Sequence, residues 1–226
     1  MIEIDHVTLK YRKHVVLSDV TFQAEPGHTI GLLGLNGSGK STLLSAIAGA
    51  KHPESGRILL NGKTCKEDSK TYLSQVGYVT QENALIEELS AMDNLRLWTS
   101  SSREEIMKTL QDTILSILGV HTFLDIPVRR MSGGMKKRLS IATVLINQPR
   151  VLLLDEPLAA LDILAKQAIL SYINTFRAGG GLTFVASHEE RLFEFCDDVY
   201  LLRNGSCTSL REFPADVSIP QLLAQQ

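Results

Sequence analysis

The segment Gly34-Leu35-Asn36-Gly37-Ser38-Gly39-Lys40-Ser41 constrains this chain more than any other. It fits G-x-x-x-x-G-K-[ST] and stands between an apolar stretch and a run suited to a helix. Upstream, residues His28 to Leu33 read as a short strand after the turn residues Pro26-Gly27. Downstream, leucine and isoleucine recur at helical spacing between Lys40 and Ala48. Glycines in such a turn let the backbone wrap closely around an anion with its N–H groups inward, and the following helix N-terminus adds a partial positive charge. The unit is a phosphate cradle. Lys40 can reach β- and γ-phosphates as a point charge, the Ser41 hydroxyl can ligate Mg²⁺, and Thr42 adds a phosphate contact. A glycine-rich turn without a ligand is the bland alternative, disfavoured because pattern and setting agree. Alone, the motif says nucleotide and no more.

A second feature narrows the chemistry. The apolar strand Val151 to Leu154 runs into Asp155-Glu156. Asp155 would hold Mg²⁺ through water, and Glu156 would polarise a water for attack on a γ-phosphate. Standing alone, the two carboxylates would equally suit a solvated acidic turn. Shortly before them, Met131-Ser132-Gly133-Gly134-Met135 opens a helix that continues through Ala142. A serine and two glycines at a helix N-terminus offer a hydroxyl, free N–H groups and a dipole to an anion. The basic run Lys136-Lys137-Arg138 is expected on a solvated face of that helix.

The rest of the chain frames these motifs. Ile2 to Leu9 reads as a strand, and between Glu82 and Gln148 the pattern becomes mainly helical. There Ile106, Met107, Leu110, Ile114, Ile117 and Leu118 share one expected helix face, with Ser102 and Glu105 as a capping box and Gly119 as a stop. Strands follow at Val151 to Leu154 and Leu182 to Ala186, a helix at about Leu164 to Phe176, and a strand pair turning at Asn204-Gly205.

Composition excludes a few partners. A formal net charge of -2 gives no electrostatic case for nucleic acid. No apolar run approaches the roughly 18 to 20 residues that span a bilayer, and nothing after Met1 resembles a signal peptide. Cys65, Cys196 and Cys207 are widely spaced, with no CxxC pair, and are expected to be free thiols.

In their order along the chain, these motifs resemble the ATP-binding cassette (ABC) family, over essentially the whole length. The resemblance gives Tyr11, before the phosphate loop, the place of the aromatic that stacks on adenine. Gln81, in Tyr78-Val79-Thr80-Gln81-Glu82, looks like the glutamine linking Mg²⁺ to the helical insertion. Ser132, Gly133 and Gly134 match the signature. Leu158-Ala159-Ala160-Leu161-Asp162 looks like the segment that crosses a dimer interface, and His188 like the γ-phosphate-sensing histidine. Apart from the family, Tyr11 reads as an ordinary aromatic and His188 as a structural histidine.

The resemblance implies an α/β fold: a P-loop NTPase (RecA-like) core with a small antiparallel β portion and an inserted α-helical subdomain. It implies one ABC ATPase domain over residues 1–226, with the insertion at 82–148. It implies Mg²⁺-dependent ATP hydrolysis with Glu156, His188 and Gln81 in the chemistry, and Ser41, Gln81 and Asp155 around the metal. Tyr11, Gly34 to Thr42, Ser132, Gly133, Gly134 and Asp162 would surround the nucleotide. Two cassettes, copies or paralogues, would share two ATP molecules head to tail, and an integral membrane permease would hold them at the cytoplasmic face. Two departures stand out, Met131 and Met135 where the family most often has Leu and Gln. Ser-Gly-Gly-Met followed by basic residues resembles exporter cassettes, which favours export. A soluble cassette of a non-transport assembly, such as an iron–sulfur scaffold, is the alternative.

Overall fold

The computed structural model describes residues 1–112, 114–188, 190–214 and 219–224. In chain order the elements are β1 (Ile2–Tyr11), β2 (His14–Ala24), β3 (Thr29–Leu33), α1 (Lys40–Ile47), β4 (Ser55–Leu60), β5 (Lys63–Thr64), α2 (Ser69–Gln75) and β6 (Val76–Val79). Then come α3 (Ala91–Trp98), α4 (Arg103–Asp112), α5 (Gly133–Leu145), β7 (Val151–Asp155), α6 (Ile163–Ala178), β8 (Leu182–Ala186), α7 (Glu190–Phe193), β9 (Asp198–Arg203), β10 (Ser206–Ser209) and α8 (Ile219–Ala224). Two sheets result. A four-stranded antiparallel sheet runs β2-β1-β4-β5, and a six-stranded sheet runs β10-β9-β3-β8-β7-β6. In the latter, β3, β6, β7, β8 and β9 are parallel and β10 is antiparallel to β9.

The central strands β3, β7 and β8 are buried along their whole length, as strands covered on both faces must be. Alternation sorts their side chains. Val151, Leu153, Phe184 and Ala186 pack with Leu43, Leu44 and Ile47 of α1 and with the four-stranded sheet. Leu152, Leu154 and Val185 pack on the other face with Leu95, Leu139, Ala142 and Ile169 from α3, α5 and α6. Each such aliphatic side chain contributes about 1.5–3 kcal/mol by burial, and truncating the fully buried Phe184 to alanine would cost about 3–5 kcal/mol. The consequence for the site is a rigid parallel sheet with the C-terminal ends of β3, β7 and β8 side by side.

Between β6 and β7 the described residues form helices and short 3₁₀ turns, apart from one isolated bridge, Ser90 to Pro127. The expected capping box is present at α4, where the Ser102 N–H donates to Glu105 Oε2 at 2.7 Å and the Glu105 N–H to Ser102 Oγ at 3.3 Å. The helix stops at Asp112, earlier than the apolar spacing suggests. Ile106, Leu110 and Leu118 are buried as expected, but Ile117 is exposed, because the 3₁₀ turn after α4 breaks the 3.6-residue phase. The side chain of Ile114 lies outside the described set. The Asn204-Gly205 turn joins β9 to β10 with φ values of 50° and 80°, both in the left-handed region that a tight hairpin requires.

The basic run also departs from expectation. Lys136 pairs with Glu87 at 2.7 Å, Lys137 is buried, and Arg138 donates to the Leu118 carbonyl at 3.3 Å while lying over the Phe123 ring. The face is engaged with protein, because α5 lies between the sheet and the other helices instead of outside them. Cys65, Cys196 and Cys207 are free thiols, and burial pushes Cys196 and Cys207 up to about 12.

Candidate functional site: a phosphate cradle and a separate signature

β3 delivers the chain to Gly34, and the loop closes into α1 with Gly39 at its N-cap in the left-handed region. Two glycines here are steric necessities. A Cβ at Gly34 would fall 2.6 Å from the Leu202 carbonyl oxygen, and Gly39 at φ 106° would place one 3.0 Å from Val16. The first intrahelical bond runs from the Leu43 N–H to the Gly39 carbonyl at 2.8 Å. The N–H groups of Lys40, Ser41 and Thr42 therefore have no acceptor within the helix and are available to an anion.

Lys40 folds back over this loop. Its Nζ donates to the carbonyls of Gly34 at 2.6 Å and Leu35 at 3.2 Å. Burial lowers its pKa, against the attraction of Glu156 and Asp155. The ammonium is thus held at the loop by weak carbonyl acceptors, ready to exchange them for phosphate oxygens.

β7 brings Asp155 to the same place. Its carboxyl is buried, and burial raises its pKa, as does Glu156, while Ser41, Lys40 and Lys137 counter the rise. Tyr78, whose hydroxyl burial pushes up to about 12, meets Asp155 Oδ2 at 3.4 Å. Asp155 Oδ1 has no hydrogen-bond partner of ordinary geometry. A buried acidic oxygen left over, beside the Ser41 hydroxyl and Gln81, suits a hard divalent cation. Lys40, Ser41, Thr42, Gln81, Asp155 and Glu156 line one cleft of about 300 Å³ with the loop glycines Gly37 and Gly39 and with Asn36.

Glu156 has φ 48°, a left-handed conformation that costs a non-glycine residue roughly 1–2 kcal/mol. The neighbouring strand holds it there: the Glu156 N–H donates to the Ala186 carbonyl at 2.9 Å. The Ser187 hydroxyl donates to Glu156 Oε2 at 3.3 Å, and His188 Nδ1 lies 2.9 Å from Oε1. The imidazole is otherwise open, its side chain 72% exposed. The end of β8 thus carries the partner of the carboxylate at the end of β7, an arrangement that can orient a water and stabilise the charge that follows.

Not every expected residue joins this cleft. Tyr11, at the tip of the β1–β2 hairpin, is 61% exposed and lies outside the cleft lining, with Lys51 Nζ 5.2 Å from its ring centre. Ser132 and Gly133 are exposed and also outside it. The Ser132 hydroxyl accepts from the Met135 N–H at 3.2 Å and so caps α5. Asp162 likewise caps α6, accepting from the Ala165 N–H at 2.8 Å. Sequence reasoning missed Lys137, whose Nζ donates to the carbonyls of Thr80 at 3.2 Å and Asp155 at 3.4 Å. The signal is weak: its two charged neighbours conceal a position on the inward face of α5.

The ABC transporter family model matches residues 17–159, more than half of the chain. The chain belongs to the ABC transporter family. It is 34% identical over 209 residues to the ABC-type transporter ATP-binding protein EcsA of Bacillus subtilis, covering 91% of this chain and 84% of that one. It is 31% identical to the lantibiotic transport ATP-binding protein SrtF of Streptococcus pyogenes, covering 100% of this chain and 97% of the relative. Among solved structures, the dimeric ATP-binding cassette MJ0796, in a post-hydrolysis state bound to ADP and Pi, matches with a TM-score of 0.82 at 25% identity. That match covers 94% of this chain and 100% of the other. The cassette is an ATP-binding ABC ATPase, and its fold is that of the P-loop NTPase core with an antiparallel sheet. Among the described residues no helix is long and apolar enough to cross a membrane.

Proposed function

We propose that two such cassettes, copies or paralogues, close head to tail over two ATP molecules and drive a membrane permease, with export as the direction. One observation carries this reading: the cradle and carboxylates share one cleft, while the anion-ready N-terminus of α5 stands exposed and apart from it. Each half lacks what the other offers, and a neighbour's signature completes the cradle. The apolar side chains of Ile163 and Leu164, immediately after Asp162, support an interface there, at 75% and 73% exposure. A groove of about 780 Å³ beside β6, lined by Leu73, Tyr78, Trp98 and Val144 among others, suits an apolar segment of the permease. Residues 82–148 act as the inserted subdomain that carries one wall of that groove. Export rests on the Ser-Gly-Gly-Met signature and its basic continuation.

In this mechanism the adenine stacks on Tyr11, and Lys40 trades its loop carbonyls for the β- and γ-phosphates. Ser41, Gln81 and Asp155 would hold Mg²⁺, which neutralises charge on those phosphates. Glu156 accepts a proton from water as the water attacks the γ-phosphorus and the bond to the bridging oxygen breaks, leaving ADP and phosphate. With its Nδ1 on Glu156, His188 keeps Nε2 for the γ-phosphate. Closure follows from differential affinity, since both halves contact the γ-phosphate only when the pair is shut. Copurification from gently solubilised membranes tests the partner. An integral membrane protein with several spanning helices is the expected companion, and a soluble scaffold without such helices would overturn the transport reading.

A further inference from the structure

Lys137 belongs to a run of three basic residues, yet it is 3% exposed. An ammonium withdrawn from water is unfavourable unless its N–H groups find acceptors, and an apolar side chain of the same length would fill the space without that penalty. Burial pulls its pKa below the ordinary lysine value, opposed by Asp155 and Glu156. The acceptors it does find are two backbone carbonyls, of Thr80 and Asp155. Both occupy particular places. Thr80 directly precedes Gln81, and the Asp155 carbonyl belongs to the peptide that leads into Glu156. Lys137 therefore grips the two strand ends, of β6 and β7, from which the glutamine and the carboxylates of the cleft project.

The side chain that grips them grows from the signature helix. α5 begins at Gly133, has Ser132 as its N-cap, and carries Lys137 little more than one turn further on. The same N-terminus is braced against Ala160, since a Cβ on Gly134 would lie 3.0 Å from the Ala160 carbonyl oxygen. One short rigid element thus presents Ser132 outward and holds the roots of Gln81 and Glu156 inward.

We propose that Lys137 is a positioning residue: from the signature helix it fixes the peptides leading into Gln81 and Glu156, so that engagement of Ser132 by a neighbour's nucleotide aligns this subunit's own hydrolytic groups. This rests on the shared-site reading given above. Lys137 does not itself line the cleft and reaches its wall only through the Asp155 carbonyl, so it acts on turnover and not on nucleotide affinity.

Lys137→Met keeps the length of the chain and removes the donors; Lys137→Gln keeps an amide donor on a shorter stem. The readouts are kcat and KM for ATP, ATP affinity by calorimetry, thermal melting, and the ATP-bound dimer in a Glu156→Gln background. Lys137→Met is expected to lower kcat at least tenfold, with KM and ATP affinity within about twofold of wild type, and Lys137→Gln to fall between the two. Both double variants with Glu156→Gln are expected to retain the trapped dimer. A purely structural role would instead lower the melting temperature and the fraction of competent protein, leaving kcat per competent site unchanged. That pattern, or wild-type kcat in Lys137→Met, overturns the proposal. If Lys137→Met does not fold, wild-type kcat in Lys137→Gln overturns it equally. A Glu156→Gln protein that forms no ATP-dependent dimer sinks the shared-site reading itself, whatever Lys137 does.

Discussion

A Cβ on Gly34 would fall 2.6 Å from a backbone carbonyl oxygen, and Gly37 and Gly39 adopt φ values of 84° and 106°; a Cβ on Gly133 would meet nothing within 4 Å, and its φ is not in the left-handed region. The two anion-ready loops of the cassette therefore carry glycine for different reasons. In the cradle the chain's own fold demands it. At Gly133 nothing in the chain does, and alanine would be the better helix residue there by up to about 1 kcal/mol, whereas at Gly134 a Cβ would lie 3.0 Å from the Ala160 carbonyl oxygen. On the proposed shared-site reading, Gly133 leaves room for a neighbour's nucleotide. The surroundings agree: Lys40 and Asp155 are buried among partners, whereas Ser132 and Gly133 face solvent.

The strongest way to sharpen this contrast acts on the assembled half. Glu156→Gln keeps the side chain's shape and can keep its contacts to Ser187 and His188, but removes the carboxylate that would accept the proton in the proposed mechanism. Turnover should fall roughly 10²–10⁴-fold, the span of general-base catalysis, while ATP binding persists and size-exclusion chromatography with ATP and Mg²⁺ shows a dimer. Turnover at the wild-type rate would remove Glu156 from catalysis.

Mixing two defects asks whether the exposed half serves a neighbour. One subunit carries Lys40→Ala, which removes the phosphate grip, and the other Ser132→Arg, which obstructs the signature. Neither homodimer should occlude ATP. In the mixed dimer one site combines both defects and the other neither, so one occluded nucleotide per dimer is expected. Heterodimers that form but occlude none would show that Ser132 acts within its own chain, and the contrast between the halves would collapse.

A smaller effect belongs to the hairpin. Tyr11→Ala should weaken ATP binding by about 1–3 kcal/mol if adenine stacks on the exposed ring, by analogy with bases on other aromatic side chains, and Tyr11→Trp should restore it. Equal calorimetric affinity in wild type and Tyr11→Ala would leave the ring a surface aromatic with Lys51 beside it.

Much of this was legible because it is local. The phosphate loop and the Asp155-Glu156 strand end are read from contiguous residues whose spacing encodes strand, turn and helix, and the structure brings them to one cleft. The Glu156 to His188 pair is different. The two residues are 32 positions apart and meet because β7 and β8 are parallel neighbours, a fact of topology that no spacing contains. Lys137 stayed hidden for a related reason, since a charge in a charged run is read as solvated until the packing of α5 is known. Ile117 failed by phase: a pattern that presumes one continuous helix runs past the end of α4 at Asp112 and misplaces Ile117, although Leu118 is still buried.

The smallest effects separate the two loops most directly, because they can be measured on the protein without nucleotide. Gly39→Ala puts a side chain at φ 106°, against Val16 and Leu17, and should lower stability by roughly 1–2 kcal/mol. For a chain of this length that is a fall of about 2–8 °C in melting temperature. Gly133→Ala has open space and a helical backbone, so its melting temperature should be unchanged or slightly higher. Its function should suffer nonetheless. On the shared-site reading, the methyl group would stand in the path of a neighbour's γ-phosphate, so in a Glu156→Gln background the ATP-dependent dimer should weaken although the fold has not. Gly133→Ala melting as low as Gly39→Ala would show that the chain itself requires this glycine. A Gly133→Ala dimer as tight as the parent would show that nothing approaches it, and either result would undo the distinction between a loop completed within the chain and one completed by its partner.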